Sequence, residues 1–345
     1  MRRIIKTIRK TLKSRDIIEN WLWSRIIYFL IRHGVLKRDS MLIKLKSGGS
    51  ISIPPRIYSL LINAYFNRLI HEVYKEDDSL VIDGIIKISR LDDSLVYIMP
   101  DGVKLLAEDP YLGEYGETEF VTIHQTWILG SNFIAPVLND WLVIDIGAFI
   151  GDTALYYAKR GAFVVAVEPI PSHYNVLLKN LELNPELKNR ILPINAAISD
   201  HDGFVDLAIE GIAHGGASQY QDFSRKVRVR SFTLRSLLKY IEEEHGVSIG
   251  GFSVKAIKFD CEGCEYDVID NEIEVVSLFD FLLVECHGYL RGRTIFDIIN
   301  KLSEGGFQCE PMLHDPYSEF SIKLLSTLRC SKRLMYVKLH EKKLA

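Results

Sequence analysis

Residues 141–168, WLVIDIGAFIGDTALYYAKRGAFVVAVE, restrict the fold more than any other stretch of the chain. Leu142 to Ile146 is a short apolar, largely β-branched run broken only by Asp145, and it stops at Gly147, which is the pattern of a buried strand. Asp152 and Thr153 suit the first turn of a helix. Ala154, Leu155, Tyr156 and Ala158 carry its apolar period to Gly161, where a left-handed stop belongs. Phe163 to Val167 is a second buried strand with Glu168 at its tip, and Pro169 ends the ladder. The stretch is one β-α-β unit, and such units build parallel sheets.

The turn between the first strand and its helix must let something lie against the backbone. Gly147, Ala148 and Gly151 lack bulk there, and a helix start offers unpaired N–H groups and the positive end of a dipole. Glu168 follows at the tip of the second strand, where a carboxylate can accept from both hydroxyls of an adenosine ribose. Asp145, Gly147, Ala148, Gly151, Asp152 and Glu168 are therefore assigned to a nucleoside cofactor. The pattern is D-x-G-A-x-x-G, with Ala148-Phe149 in place of the glycine that lets a pyrophosphate approach, and this favours S-adenosylmethionine over a dinucleotide. Small residues that merely permit packing are the plain alternative.

A second concentration of chemistry lies near the carboxyl end. Val254 to Phe259 reads as a strand, followed by Asp260-Cys-Glu-Gly-Cys-Glu265, and Phe281 to Val284 as another, ending on Glu285-Cys-His287. Ligands of a doubly wound sheet bind outside the carboxyl ends of its strands, so Asp260 and Glu262 should border a reacting group, unless either merely caps a helix. His287 is a candidate proton acceptor beside Glu285. Cys261-x-x-Cys264 with Cys286 and His287 has the spacing of a metal or redox site, but no second C-x-x-C exists and no metal is assigned.

The carboxyl half resembles the FkbM family of methyltransferases. The resemblance rests on Asp145-Ile-Gly-Ala-Phe-Ile-Gly151, Val167-Glu-Pro-Ile-Pro171, Asn180-Leu-Glu-Leu-Asn184, Ala196-Ala-Ile-Ser-Asp200 and Ile257-Lys-Phe-Asp-Cys-Glu-Gly-Cys-Glu265, and it spans about residues 120 to 312. It implies a doubly wound, Rossmann-like class I methyltransferase sheet (α/β) closed by a C-terminal antiparallel hairpin, here Phe307 to Met312 with Leu334 to Leu339. It implies S-adenosylmethionine as cofactor, Glu285 at the substrate mouth and methylation of a hydroxyl. Class geometry puts the adenine against residues after the third strand, read as Ile191 to Ile198, so Ala197 and Ile198 join the cofactor residues, with an ordinary buried strand end as the alternative. Asp260, Glu262, Glu285 and His287 form the catalytic set. Phe149 and Cys261 depart from the smaller or aliphatic residues expected at their positions.

The rest of the chain is less informative. Residues 1 to 46 hold 13 Lys/Arg against 3 Asp/Glu, whereas the whole chain has a net charge of −3, so the body is acidic and does not suit nucleic acid. Residues 2–13 place Ile4, Ile5, Ile8 and Leu12 opposite basic residues, a helix that can lie on an anionic membrane surface or dock on its own domain. Five cysteines and no secretory leader argue for reduced thiols and a cytoplasmic setting, with peripheral contact at the inner membrane face.

Residues 1–115 read as this basic helix plus a small α+β cap, with strands around Ser47-Gly48-Gly49, a helix from about Arg56 to Tyr74 and further hairpins. Residues 116–345 form the methyltransferase domain. His124, Trp127 and, in a Gly-containing loop at 211–224 suited to a lid, His214 could reach ligand or simply pack. The expected activity is transfer of a methyl group to a hydroxyl of a sugar, lipid-linked glycan or small metabolite. A nicotinamide-dependent oxidoreductase and a non-catalytic binding module are the rivals.

Overall fold

Trp141–Ile146, with every residue buried, is the central strand of a seven-stranded sheet, as its apolar composition requires. The strands of this sheet are β1 (Trp141–Ile146), β2 (Phe163–Val167), β3 (Ile191–Ile194), β4 (Val254–Phe259), β5 (Phe281–His287), β6 (Phe307–Pro311) and β7 (Leu325–Lys332). Their spatial order is β3-β2-β1-β4-β5-β7-β6. The first five are parallel, and β7 runs antiparallel to β5 and to β6. The order reverses between β1 and β4, so the carboxyl ends of these two strands frame the switch-point crevice where doubly wound sheets take their ligands. The computed structural model describes residues 9–92, 94–107, 117–209, 217–221, 225–312 and 325–332. Its contacts divide it into two units, Met1–Ile128 and Leu129–Ala345, where the sequence places an edge near residue 115.

In the second unit, Ile144, Val165, Ile257, Leu282 and Val284 are inaccessible to solvent, each contributing about 1.5–3 kcal/mol by leaving water. The helix Asp152–Lys159 follows β1, and Pro171–Glu182 follows β2. The helix Leu234–His245 has Thr233 as its cap, accepting from Ser236 N–H, and ends on left-handed Gly246. The antiparallel pair at Gly203–Ile209 and Lys226–Phe232 belongs to a separate four-stranded sheet.

Three expectations need correction. The single strand expected over Ile191 to Ile198 is two: it leaves the large sheet after Ile194, and Ala197–Ile198 pairs with Ser231 and Phe232 in the smaller one. Asn195 makes the break, spending its side-chain N–H on the carbonyls of Glu168 and Pro169. The partner of β6 among the described residues is Leu325–Lys332; Leu334 to Leu339 lies outside them. Four of the five cysteines are not free thiols. Cys261 is bonded to Cys264, and Cys309 on β6 to its register partner Cys330 on β7, leaving Cys286 alone and buried. Cysteine usage therefore does not point to a reducing compartment.

In the first unit, Met41–Lys44 and Ser50–Ile53 form the expected hairpin, followed by a helix at Pro55–Phe66 and a five-stranded antiparallel sheet from Val73 to Leu106. The helix stops eight residues before Tyr74 because Arg68 turns left-handed at φ +63° and Val73 enters a strand. Glu117–Ile123 is helical and widens to a π-turn over His124–Leu129. Among the described residues no helix is long and apolar enough to cross a membrane.

Candidate active site

The turn after β1 is built tightly. Gly147 and Ala148 both donate their N–H to the carbonyl of Val167, and Gly151 donates to Ala148. Gly147 has φ +79°, and a Cβ there would stand 1.8 Å from the carbonyl oxygen of Asp260, so only glycine lets the ends of β1 and β4 meet. Gly151, at φ +81°, starts the helix, and a Cβ there would press on Leu177 at 2.9 Å. The missing bulk therefore serves the protein's own packing at both positions. Phe149 is left-handed, φ +48°, a conformation that costs about 1–2 kcal/mol in a non-glycine residue, and its ring stacks edge-on against His173 at 4.8 Å.

Glu168 holds that turn in shape. One carboxylate oxygen accepts from Phe149 N–H at 2.9 Å, and the other accepts from Ile170 N–H at 2.9 Å and lies 3.5 Å from His173 Nδ1. The carboxylate is thus engaged by the backbone of the β1 turn, and a ribose would use its remaining acceptor positions. Asn180, buried, donates to the carbonyl of Ile150. Ala197 and Ile198 are each 5% exposed and packed in hydrophobic clusters.

Asp145 lies opposite Lys258 in the register of β1 and β4, and both side chains are buried. Its Oδ2 accepts from Thr153 at 2.5 Å, and its Oδ1 stands 3.3 Å from the Lys258 ammonium without an aligned hydrogen bond. Lys258 also donates to Asp260 at 3.1 Å. Sequence reasoning missed this lysine, which reads as one polar residue in an apolar strand; only the register gives it two carboxylates. Burial raises the pKa of Asp145, with Lys258 opposing. Burial lifts Asp152, at the helix start, to about 6. Burial pulls the Lys258 ammonium down, but Asp145 and Asp260 outweigh it and the net shift is upward.

The four residues assigned to catalysis come together at the ends of β4 and β5. His287 Nε2 lies 3.9 Å from Asp260 and 3.7 Å from Glu262, and Glu285 joins Asp260 and His287 in one cluster whose ligand atoms are all within 4.8 Å. Burial raises Glu285 to about 8, with Asp260 adding to it, and burial likewise raises Glu262. Burial lowers His287, but Glu262, Glu265 and Glu285 outweigh it and drive its pKa well above the ordinary imidazole value. Gly147, Phe149, Asp260, Glu262 and Glu285 are partly exposed while the strands below them are buried, which marks an opening at the switch point.

Two more parts were not foreseen. Glu265, fully buried, accepts from the N–H groups of Gly263 and His287 and stands 3.2 Å from His287 Nδ1, so it orients the imidazole. Ser218 and Tyr220, in the described part of the expected lid, reach the acidic turn. Ser218 donates to the carbonyl of Glu262 at 2.6 Å, and a Cβ on Gly263 would meet the Tyr220 ring at 2.6 Å. Tyr220 also bonds Asp267, and Arg291 lies over its ring. His214 is outside the described residues. His124 is buried beside Phe120, and Trp127 donates to Asp101, both within the first unit.

Residues 145–309 match the profile of the Methyltransferase FkbM domain. No protein of curated function matches the chain. Among solved structures, it is similar to a methyltransferase FkbM from Methylobacillus flagellatus KT, with a TM-score of 0.41 and 16% identity, over 59% of this chain and 46% of that one. It is also similar to a precorrin-6Y C5,15-methyltransferase from Geobacter metallireducens GS-15 (TM-score 0.34, 12% identity, 66% of this chain and 94% of that). A third is M. jannaschii TYW2 in complex with AdoMet (0.33, 14%, 76% and 91%). The acidic mouth at the switch point of the sheet lies within the stretch, residues 145–309, that matches the methyltransferase FkbM domain, and S-adenosylmethionine is the cofactor which that match supports.

Proposed function

We propose that the protein transfers a methyl group from S-adenosylmethionine to a hydroxyl oxygen of a sugar, lipid-linked glycan or other small metabolite. The observation that carries this reading is the convergence of Asp260, Glu262, Glu285 and His287 within a few ångströms, next to the β1 turn of the matched methyltransferase domain. The cofactor, when bound, supplies a methyl group activated on sulfonium sulfur. Glu168 and the Gly147–Gly151 turn would hold its adenosine part, with spare carboxylate acceptor capacity directed to the ribose. Holding donor and acceptor in line is worth roughly 7–11 kcal/mol of barrier. A hydroxyl must also lose its proton, and a carboxylate at contact distance contributes about 10²–10⁴-fold. On this reading Asp260 is the first choice for that contact and Glu262 the second, and His287, whose Nε2 is 3.9 Å from one and 3.7 Å from the other, would take the proton onward.

The rival readings are separable. An oxidoreductase would bind NADH and not S-adenosylmethionine, and a non-catalytic module would bind neither productively. Calorimetry with each cofactor, followed by transfer of labelled methyl to fractionated cell extract with product mass read out, tests the proposal. Saturable binding of S-adenosylmethionine and label on a hydroxyl are expected. Label on nitrogen would refute O-methylation while leaving methyl transfer intact.

A further inference from the structure

We propose that the helix Trp21–Arg32 of the first unit lies in the plane of an anionic lipid surface and docks the protein there. One side of the helix is committed to the fold. Ser24 and Tyr28 are buried, and the Tyr28 ring packs 5.3 Å from that of Tyr58 on the helix Pro55–Phe66. Just ahead of the helix, the Asn20 side chain donates to the carbonyl of Leu42 and accepts from Lys44 N–H, which ties the helix start to the strand Met41–Lys44. The opposite side is apolar and faces water. Leu22, Ile26 and Phe29 succeed one another at spacings of four and three, which aligns them along one line of the helix, with Trp23 beside them. In the order Leu22, Trp23, Ile26, Phe29 they are 54, 68, 39 and 55% exposed.

Apolar side chains scattered singly over a surface need no explanation, whereas a contiguous stripe does. Every other helix among the described residues leaves at most one large hydrophobic residue in water. Trp23 adds chemistry to the pattern, because an indole pairs an apolar body with one N–H and gathers where hydrocarbon meets headgroups.

Charge selects the occupant. From Asn20 to Arg38 the chain holds Arg25, Arg32, Lys37 and Arg38 and no Asp or Glu, and residues 1 to 46 as a whole hold 13 Lys/Arg against 3 Asp/Glu. Arg25 and Arg32 belong to the helix itself and fall next to Phe29 at its 100° spacing, so they flank the stripe. Phosphate headgroups above hydrocarbon match both parts of this surface at once, with the apolar side chains entering the acyl boundary and the guanidinium groups staying at the phosphates. A second copy laid on the same face would set cation against cation, with no acid in this segment to pair them. The helix lies flat because its 12 residues span about 18 Å, against a hydrocarbon core of about 30 Å. It is already folded and held by Tyr28 and Asn20, so docking requires no ordering of a loose segment. Of the basic helix expected over residues 2–13, only 9–13 are described, and Lys10 there donates to Asn63 of the same unit at 2.5 Å. The inference concerns the first unit and stands independently of the methyltransferase reading.

The test is co-sedimentation of the full chain with vesicles of phosphatidylcholine alone and of phosphatidylcholine mixed with phosphatidylglycerol, with tryptophan fluorescence read on the same samples. Retention on the mixed vesicles only, falling as salt rises, is expected together with a blue shift of the emission. Trp23→Phe should keep the attachment and lose most of the blue shift. Each cation at such a surface strengthens attachment about fivefold, so an Arg25→Gln, Arg32→Gln double variant should weaken it about thirtyfold. Trp23→Ser with Phe29→Ser should weaken it at least tenfold. All four side chains of the stripe are exposed, so thermal melts should be unchanged, and Leu22→Ser with Ile26→Ser serves as a second pair if the first melts early. Equal retention on both kinds of vesicle, attachment without a blue shift, wild-type retention by both serine pairs, or concentration-dependent dimerisation without vesicle binding overturns the proposal.

Discussion

Replacing Lys258 by Met isolates the most consequential unforeseen contact. The ammonium is buried 3.3 Å from Asp145 and 3.1 Å from Asp260, and Met fills similar volume without charge. Asp145, inaccessible to solvent, keeps only the Thr153 hydroxyl as partner. Removing one member of a buried pair costs about 3–5 kcal/mol, because the remaining charge stays desolvated. At about 2–4 °C per kcal/mol for a unit of this size, Lys258→Met should lower Tm by roughly 6–20 °C. The double variant Asp145→Asn, Lys258→Met, which leaves no orphan charge, should recover much of that loss. The deficit should also shrink in acid, where Asp145, already shifted upward, binds a proton. Thermal melts of the wild type, both single variants and the double variant across pH decide the matter. An unchanged Tm in Lys258→Met, or a double variant no better than the single, would refute the reasoning.

Three further outcomes are expected. Asp152 has a folded pKa of about 6, above its ordinary 3.8, so it costs the fold nothing below pH 3.8, progressively more between 3.8 and 6, and its full cost above 6. Asp152→Asn should therefore raise stability at neutral pH by up to roughly 3 kcal/mol and leave it unchanged in acid, as denaturant titrations at the two pH values would read. Gly147→Ala forces a Cβ to 1.8 Å from the Asp260 carbonyl at φ +79°, so S-adenosylmethionine affinity by calorimetry and Tm should both fall, by at least the 1–2 kcal/mol of the backbone penalty. Glu168→Ala frees the Phe149 and Ile170 N–H groups, and cofactor binding should weaken at least tenfold; binding at wild-type strength would remove Glu168 from the site.

The local period of the chain determined much of this protein. The apolar runs ending at Ile146, Val167 and Phe259 became strands because such runs must be buried on both faces, and the acids that follow them lie at carboxyl ends because chain direction is set by the backbone. Period does not tell which strand lies beside which. The pairing of Asp145 with Lys258 joins residues 113 positions apart, and the Cys309–Cys330 bond depends on a strand at 325–332 that carries no clean alternation. Asn195 splitting the third strand, Glu265 steering His287 and Tyr220 lying over Gly263 are likewise contacts between distant segments. Such contacts exist only once packing has chosen among many registers of equal local quality, so the tertiary structure alone decided how the acids, the lysine and the imidazole share charge.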